Sequence, residues 1–202
     1  AWVSNTRKTY VDTNGASWSP RNYDRSESQG MPLYQGLERS SNLVAADLID
    51  QIGPEAMAEV AEAAGVYTHG GMRRLLSSSL GASETRLIDL VAGYAAIMND
   101  GAPRRPQGIV SISAGEPIPL PPARSGSGVI AGRGAIEDII AMMRGTILRG
   151  TASDAFRGHP VTIVGKTGTT QEERDAWFVG ITPHLAIGIW LGKDDNTPLP
   201  GN

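Results

Sequence analysis

Residues 161–170 read VTIVGKTGTT. Four apolar or β-branched residues, Val161, Thr162, Ile163 and Val164, run into Gly165-Lys166-Thr167, which is strand composition. Two further stretches of the same kind follow, DAWFVGI (175–181) and LAIGIWLG (185–192), and the short TPH between them reads as a hairpin turn. Working backwards from this run, the periodicity changes from 2 to 3.6. Residues 135–150, AIEDIIAMMRGTILRG, place Ile136, Ile139, Ile140, Met143 and Ile147 at helical spacing and stop at Gly150. Helices first and antiparallel strands afterwards predict an α+β fold, an antiparallel sheet with flanking helices, rather than alternating βαβ units.

Further upstream, residues 84–98 carry Leu87, Leu90, Val91, Tyr94 and Met98 on one side, with Ser83 or Thr85 as the expected cap. Residues 54–65, PEAMAEVAEAAG, open with Pro54 at a first-turn position and close with Gly65. SSNLVAADLIDQIG (40–53) offers Ser and Asn as N-caps before Leu43, Val44, Leu48 and Ile49, with Gly53 as a stop. Residues 1–39 read as loop with at most short strands. Residues 101–134 are rich in Pro and Gly, with GIVSISAG as a small hairpin arm.

The totals describe one compact domain: 202 residues, 40% hydrophobic, net charge −3. The 18 Lys and Arg and 21 Asp and Glu are nearly balanced and scattered, which argues against nucleic acid as a partner. Cysteine is absent, so disulfides and thiolate metal sites are excluded. His69, His159 and His184 stand far apart without ligand spacing, and neither a metal nor a cofactor is expected. No apolar run reaches the roughly 18 residues of a membrane span, and the first residues, AWVSNTRKTY, lack a signal-peptide pattern. Both ends look cut, and a piece of something longer is expected.

The Gly165-Lys166-Thr167 lysine faces either a phosphate or a carboxylate. A P-loop needs Gly-x-x-x-x-Gly-Lys-Ser/Thr leading into a helix. Pro160 stands where its first glycine belongs, and strands follow instead of a helix. A lysine late in a strand remains, with Gly168 sharing its face and Thr167 and Thr169 on the other. Glycine lets a ligand lie against the strand, so that backbone groups bond an extended peptide. Lysine adds a point charge and threonine hydroxyls add neutral donors. That combination suits a peptide's terminal carboxylate.

Lys166-Thr167-Gly168 resembles the Lys-Thr-Gly motif of the penicillin-recognising serine enzymes, and Ser40-Ser41-Asn42 resembles their Ser-x-Asn motif, in the family's order. WSPRNYD (18–24), SLGASETRLIDLVAGYAAIMNDG (79–101), GKTGTT (165–170) and RDAWFVGITPHLAIGIWLGKDD (174–195) narrow the likeness to the transpeptidase domain of bifunctional, class A penicillin-binding proteins. The resemblance implies the penicillin-binding and serine β-lactamase-like fold. It implies an enzyme in which a serine attacks a peptidoglycan stem peptide ending in D-Ala-D-Ala, expels the last D-alanine and passes the acyl group to an amine. β-Lactams are then trapped as acyl-enzymes. Ser40 is expected to relay a proton to the leaving group and Asn42 to orient the substrate amide and hold the catalytic lysine's network. Lys166 is expected to support that relay and attract the substrate carboxylate. Thr167 and Thr169 would bond that carboxylate, with Gly168 and Thr170 completing the binding strand and the Thr169 N–H serving as an oxyanion donor.

The family's third motif, Ser-x-x-Lys, is missing: Lys8, Lys166 and Lys193 follow Asn5, Ile163 and Trp190 at that spacing. The resemblance implies that residues 1–202 form the C-terminal portion of a single transpeptidase domain, with the nucleophile, a membrane anchor and any glycosyltransferase domain upstream or on a separate segment. The setting it implies is the periplasm or the outer face of the cytoplasmic membrane. A D,D-carboxypeptidase or β-lactamase, and a non-catalytic penicillin-binding module, are the competing readings. On local grounds Ser40-Ser41-Asn42 also serves as an N-cap, and Trp177, Phe178 and Trp190 as sheet packing. Glu172, Glu173 and Asp175 read as a solvated loop, Asp175 pairing with Arg174 or a backbone donor. Arg104 and Arg105 receive no function.

Overall fold

The structure, a computed structural model, describes residues 1–12, 14–66, 68, 70–120, 128–160, 162–170 and 173–199. Val161, His69 and Glu172, named above, lie outside them. Strands β1 (Trp2–Asn5) and β4 (Ser28–Pro32) pair antiparallel, as do β2 (Tyr10–Val11) and β3 (Ser17–Trp18). Helices α1 (Leu33–Glu38), α2 (Asn42–Ile52) and α3 (Pro54–Ala63) follow, then a 3₁₀ turn at Leu76–Leu80 and α4 (Leu87–Met98). The expected hairpin arm is β5 (Ile112–Ala114) with β6 (Glu116–Ile118), turning at Gly115 in the left-handed region. Helix α5 (Arg133–Leu148) leads to the sheet β7 (Val164–Thr169), β8 (Asp175–Ile181) and β9 (Ala186–Gly192), antiparallel in chain order. The α+β expectation holds. No helix among the described residues is long and apolar enough to cross a membrane.

The pleat explains how the helices seat. Val164 pairs with Ile181 and Ile181 with Ala186, so these three share one face. Met143 of α5, with Ile139, Ile140, Tyr94, Ile97 and Met98, covers them. Gly188, two residues along β9 on that face, admits α4 closely: a Cβ there would lie 2.3 Å from Val91 Cγ2. Lys166 also projects to this face, beside Val179. Its ammonium therefore starts from apolar surroundings.

The amino-terminal half is built around α2, whose Val44 packs with Val3, Met31 and Leu33, and whose Ala46 and Ile49 pack with Tyr10 and Leu76. Three expectations need correction here. Residues 33–38, expected as loop, form α1, a helix too short for periodicity to register. It is held by packing: Gly36 sits against α2 so closely that a Cβ would lie 2.5 Å from Val44 Cγ1. Helix α4 begins at Leu87 rather than near residue 84, because Thr85 is spent on a β-bridge with Thr68. Its N-cap is Arg86, without a side-chain cap, and the Arg86 guanidinium bonds Asp89 at 2.6 Å instead.

Candidate active site

The Ser40-Ser41-Asn42 triplet divides its labour. Ser41 is the N-cap of α2, its Oγ accepting from Val44 N at 3.2 Å. Ser40 lies outside the helix with φ of 54°, a left-handed backbone that costs a non-glycine residue about 1–2 kcal/mol. Ser40 is thereby released from capping and its hydroxyl turned outwards. Lys166 Nζ donates to Ser40 Oγ at 2.6 Å, joining residues 126 apart in the chain, and to Thr167 O at 2.8 Å. Burial lowers the Lys166 ammonium from 10.5 to about 8, since the charged form loses hydration beside Val179.

The strand edge is presented for a ligand. Thr170 N donates to Asp175 O at 3.1 Å, and the alternation of an antiparallel ladder then turns the backbone groups of Thr169 and Thr167 away from β8. Lys166 reaching Thr167 O agrees with that assignment. Gly168 is tight on its own face: a Cβ would lie 3.3 Å from Trp177 Cβ. Thr169 and Thr170 are exposed. Thr167 Oγ1 meets Thr151 Oγ1 at 2.5 Å, which leaves that hydroxyl up to two further bonds to make. β7 thus carries an ammonium, outward-turned backbone groups of Thr167 and Thr169, and the hydroxyls of those two threonines, while the Thr170 hydroxyl is held by Asp175.

Beneath Asn42 lies a buried polar network that sequence reasoning missed. Ser41 Oγ donates to Asn5 Oδ1 at 2.7 Å, Asn22 Nδ2 donates to the same oxygen at 3.0 Å, and Asn22 Oδ1 accepts from Leu43 N at 3.2 Å. Asn22 Nδ2 also donates to Ser26 O at 2.8 Å, and Asn5 Nδ2 to Ser28 Oγ at 3.0 Å. Asn5 is 2% exposed, so these bonds form in a low dielectric where an orphaned partner costs most. Asn22 stands in the quoted NYD stretch, but nothing in its spacing announces a partner at Asn5. Asn42 itself donates Nδ2 to Arg21 O at 2.8 Å, which fixes its amide against the loop carrying Asn22. Ser40 and Lys166 are brought into contact; Asn42 is tied to Arg21.

Two of the flanking acids, Glu173 and Asp175, take specific partners at the surface. Asp175 accepts from Thr170 Oγ1 at 3.2 Å and from Trp190 Nε1 at 2.8 Å, so it staples the end of β7 to β9. Glu173 accepts from the Tyr23 hydroxyl across 150 residues, linking the loop after β7 to the Asn22 loop. Trp177 and Trp190 stack at 6.3 Å and Phe178 against Phe156 at 5.8 Å, the sheet packing expected of them. Among the described residues no group of three or more His, Cys, Asp or Glu could hold a metal.

Residues 3–186 match the family described as the penicillin binding protein transpeptidase domain. The chain belongs to this family. Penicillin-binding protein 1A of Aquifex aeolicus (strain VF5) is 31% identical over 206 residues, covering 95% of this chain and 26% of that protein. The crystal structure of penicillin-binding protein 1A from Haemophilus influenzae superposes with a TM-score of 0.84 at 20% identity, covering 96% of this chain and 35% of that one. The PonA1 protein from Mycobacterium tuberculosis, solved in complex with penicillin V, superposes at 0.75 with 22% identity, covering 98% and 56%. The chain therefore spans about a quarter of the length of its curated relatives, and it shares its fold with the two solved structures.

Proposed function

We propose that this chain carries the substrate-binding strand and proton-relay residues of a peptidoglycan D,D-transpeptidase, and that the nucleophilic serine of a Ser-x-x-Lys motif is supplied by a preceding or separate segment. The observation that carries the reading is the 2.6 Å contact of Lys166 Nζ with Ser40 Oγ at the free edge of β7. A stem peptide lies along that edge as an added strand, using the backbone groups of Thr167 and Thr169. Its terminal carboxylate meets the Lys166 ammonium and the Thr167 and Thr169 hydroxyls, with Gly168 leaving the strand flat and Thr170 closing the end. Asn42 is near enough in sequence to Ser40 to present its amide to the substrate once the Arg21 bond is exchanged.

The chemistry follows from those placements. The acylating serine attacks the penultimate D-alanine carbonyl; the Thr169 N–H serves as one oxyanion donor, a contact whose loss costs roughly 3 kcal/mol of transition-state stabilisation. The lysine of the Ser-x-x-Lys motif takes the attacking serine's proton, and Ser40 relays that proton to the departing D-alanine amine, giving up its own hydroxyl proton as it accepts the new one, with Lys166 polarising it. An acceptor amine then takes the acyl group, and β-lactams stop at the first step. Such an enzyme works at the periplasmic side of the membrane, its anchor and any glycosyltransferase domain outside this chain. Intact-mass spectrometry of the natural protein after incubation with penicillin tests this. A penicilloyl adduct on a serine of a Ser-x-x-Lys motif supports it; an adduct on residues 1–202, or none on the whole protein, refutes it.

A further inference from the structure

Ser40 is exposed and its backbone is left-handed, yet its hydroxyl must stay on Lys166. Two residues earlier the chain is gripped hard. Glu38 is 5% exposed, and its carboxylate accepts two bonds from one guanidinium: Oε1 from the outer nitrogen of Arg149 at 2.5 Å and Oε2 from Nε at 3.1 Å. Its backbone oxygen accepts from Thr151 N at 3.1 Å. The floor of this grip has no room to spare. A Cβ on Gly145 would lie 1.8 Å from Glu38 Oε1, and one on Gly150 2.3 Å from Glu38 O.

The same few residues also hold the other side of the site. Thr151, whose N–H grips Glu38, bonds Thr167 Oγ1 through its own hydroxyl at 2.5 Å. The end of α5 therefore touches both the turn leading to Ser40 and the strand bearing Lys166. An ion pair with one partner largely in water, as Arg149 is at 59% side-chain exposure, is weak evidence for stability. Its two-point geometry is strong evidence for orientation.

We propose that Glu38 and Arg149 are positioning residues for acyl transfer: the pair locks the Arg39-Ser40 turn onto the end of α5 so that the Ser40 hydroxyl meets Lys166. This rests on the transpeptidase reading. Neither residue touches substrate; both act through Ser40.

The experiment uses the natural protein with its Ser-x-x-Lys segment and a chromogenic penicillin, the acylation rate constant and the dissociation constant being measured separately and normalised to titrated active sites. Glu38→Gln and Arg149→Gln are expected to lower the acylation rate constant by roughly tenfold or more, the scale of a misplaced catalytic group, with β-lactam binding within about twofold. Arg149→Lys, which restores a charge but not the fork, is expected to recover only part. The basic limb of the rate profile moves to lower pH, because the ammonium loses Ser40 as an acceptor. In a Ser40→Ala background, Glu38→Gln is expected to add no further loss. A wild-type rate per titrated site in Glu38→Gln, or the same loss with and without Ser40, overturns the inference. A wild-type protein that takes no penicillin overturns the transpeptidase reading and this one with it.

Discussion

The two walls that meet at the Ser40–Lys166 contact are held by opposite kinds of chemistry. Behind Ser40 and Asn42 is a buried polar network, Asn5, Asn22 and Ser41, in which each donor has a designated acceptor. Behind Lys166 is an apolar cluster, Met143, Val164 and Ile181, whose side chains pack without directional bonds. Directional bonds fix a loop's conformation, including a backbone it disfavours; apolar packing supports a strand whose geometry the ladder already sets. The apolar side also does something a polar bed would not, since it strips water from the Lys166 ammonium.

The largest effect is expected from removing the group where the walls meet. Lys166→Ala in the complete domain should slow β-lactam acylation by roughly a thousandfold or more while circular dichroism shows the fold intact. Unchanged acylation would take Lys166 out of the site. Next in size, Asn5→Leu should cost about 3 kcal/mol in a denaturant titration, because the buried Ser41 Oγ and Asn22 Nδ2 each lose an acceptor and an apolar side chain replaces the centre of the network. By contrast Ile181→Leu, a swap of equal volume in the apolar wall, should cost less than about 1.5 kcal/mol. Equal costs for the two would erase the distinction between the walls.

The smallest and most graded effect is in pH. The folded Lys166 titrates at about 8 against 10.5 unfolded, so between those values the unfolded chain holds more protons and stability rises with pH. Below about 8 the cost of burying the ammonium is present in full. Relative to Lys166→Met, which has no such group, the wild type should gain stability from pH 8 to 10.5 in paired urea titrations. A difference that stays flat with pH would mean that Lys166 is not desolvated.

Much of this was legible in residue order, for reasons that differ by element. Strands β8 and β9 declare themselves by period 2 and aromatic content, and α5 by apolar residues at helical spacing. Helix α1 did not, since six residues around a glycine carry no period and the element exists only because Val44 and Arg149 receive it. The pairing of Ser40 with Lys166 was legible as motif. That Ser41 is the residue that caps α2 was not, because Ser40, Ser41 and Asn42 are all caps by type and only the left-handed turn at Ser40 separates them. Asn5, Thr151 and Arg149 lie far from the motifs in sequence, and their roles depend on contacts that tertiary folding alone creates.

The left-handed φ of Ser40 carries an evolutionary corollary. The residues that accept this backbone most easily, Gly, Asn and Asp, all lack a hydroxyl. Drift towards a more comfortable residue at 40 would raise stability and, in the same step, remove the hydroxyl that Lys166 contacts and that the proposed relay needs. Selection for activity must keep the less stable choice there, so a library scored only for thermal tolerance should enrich Gly or Asn at position 40 while one scored for penicillin capture keeps Ser.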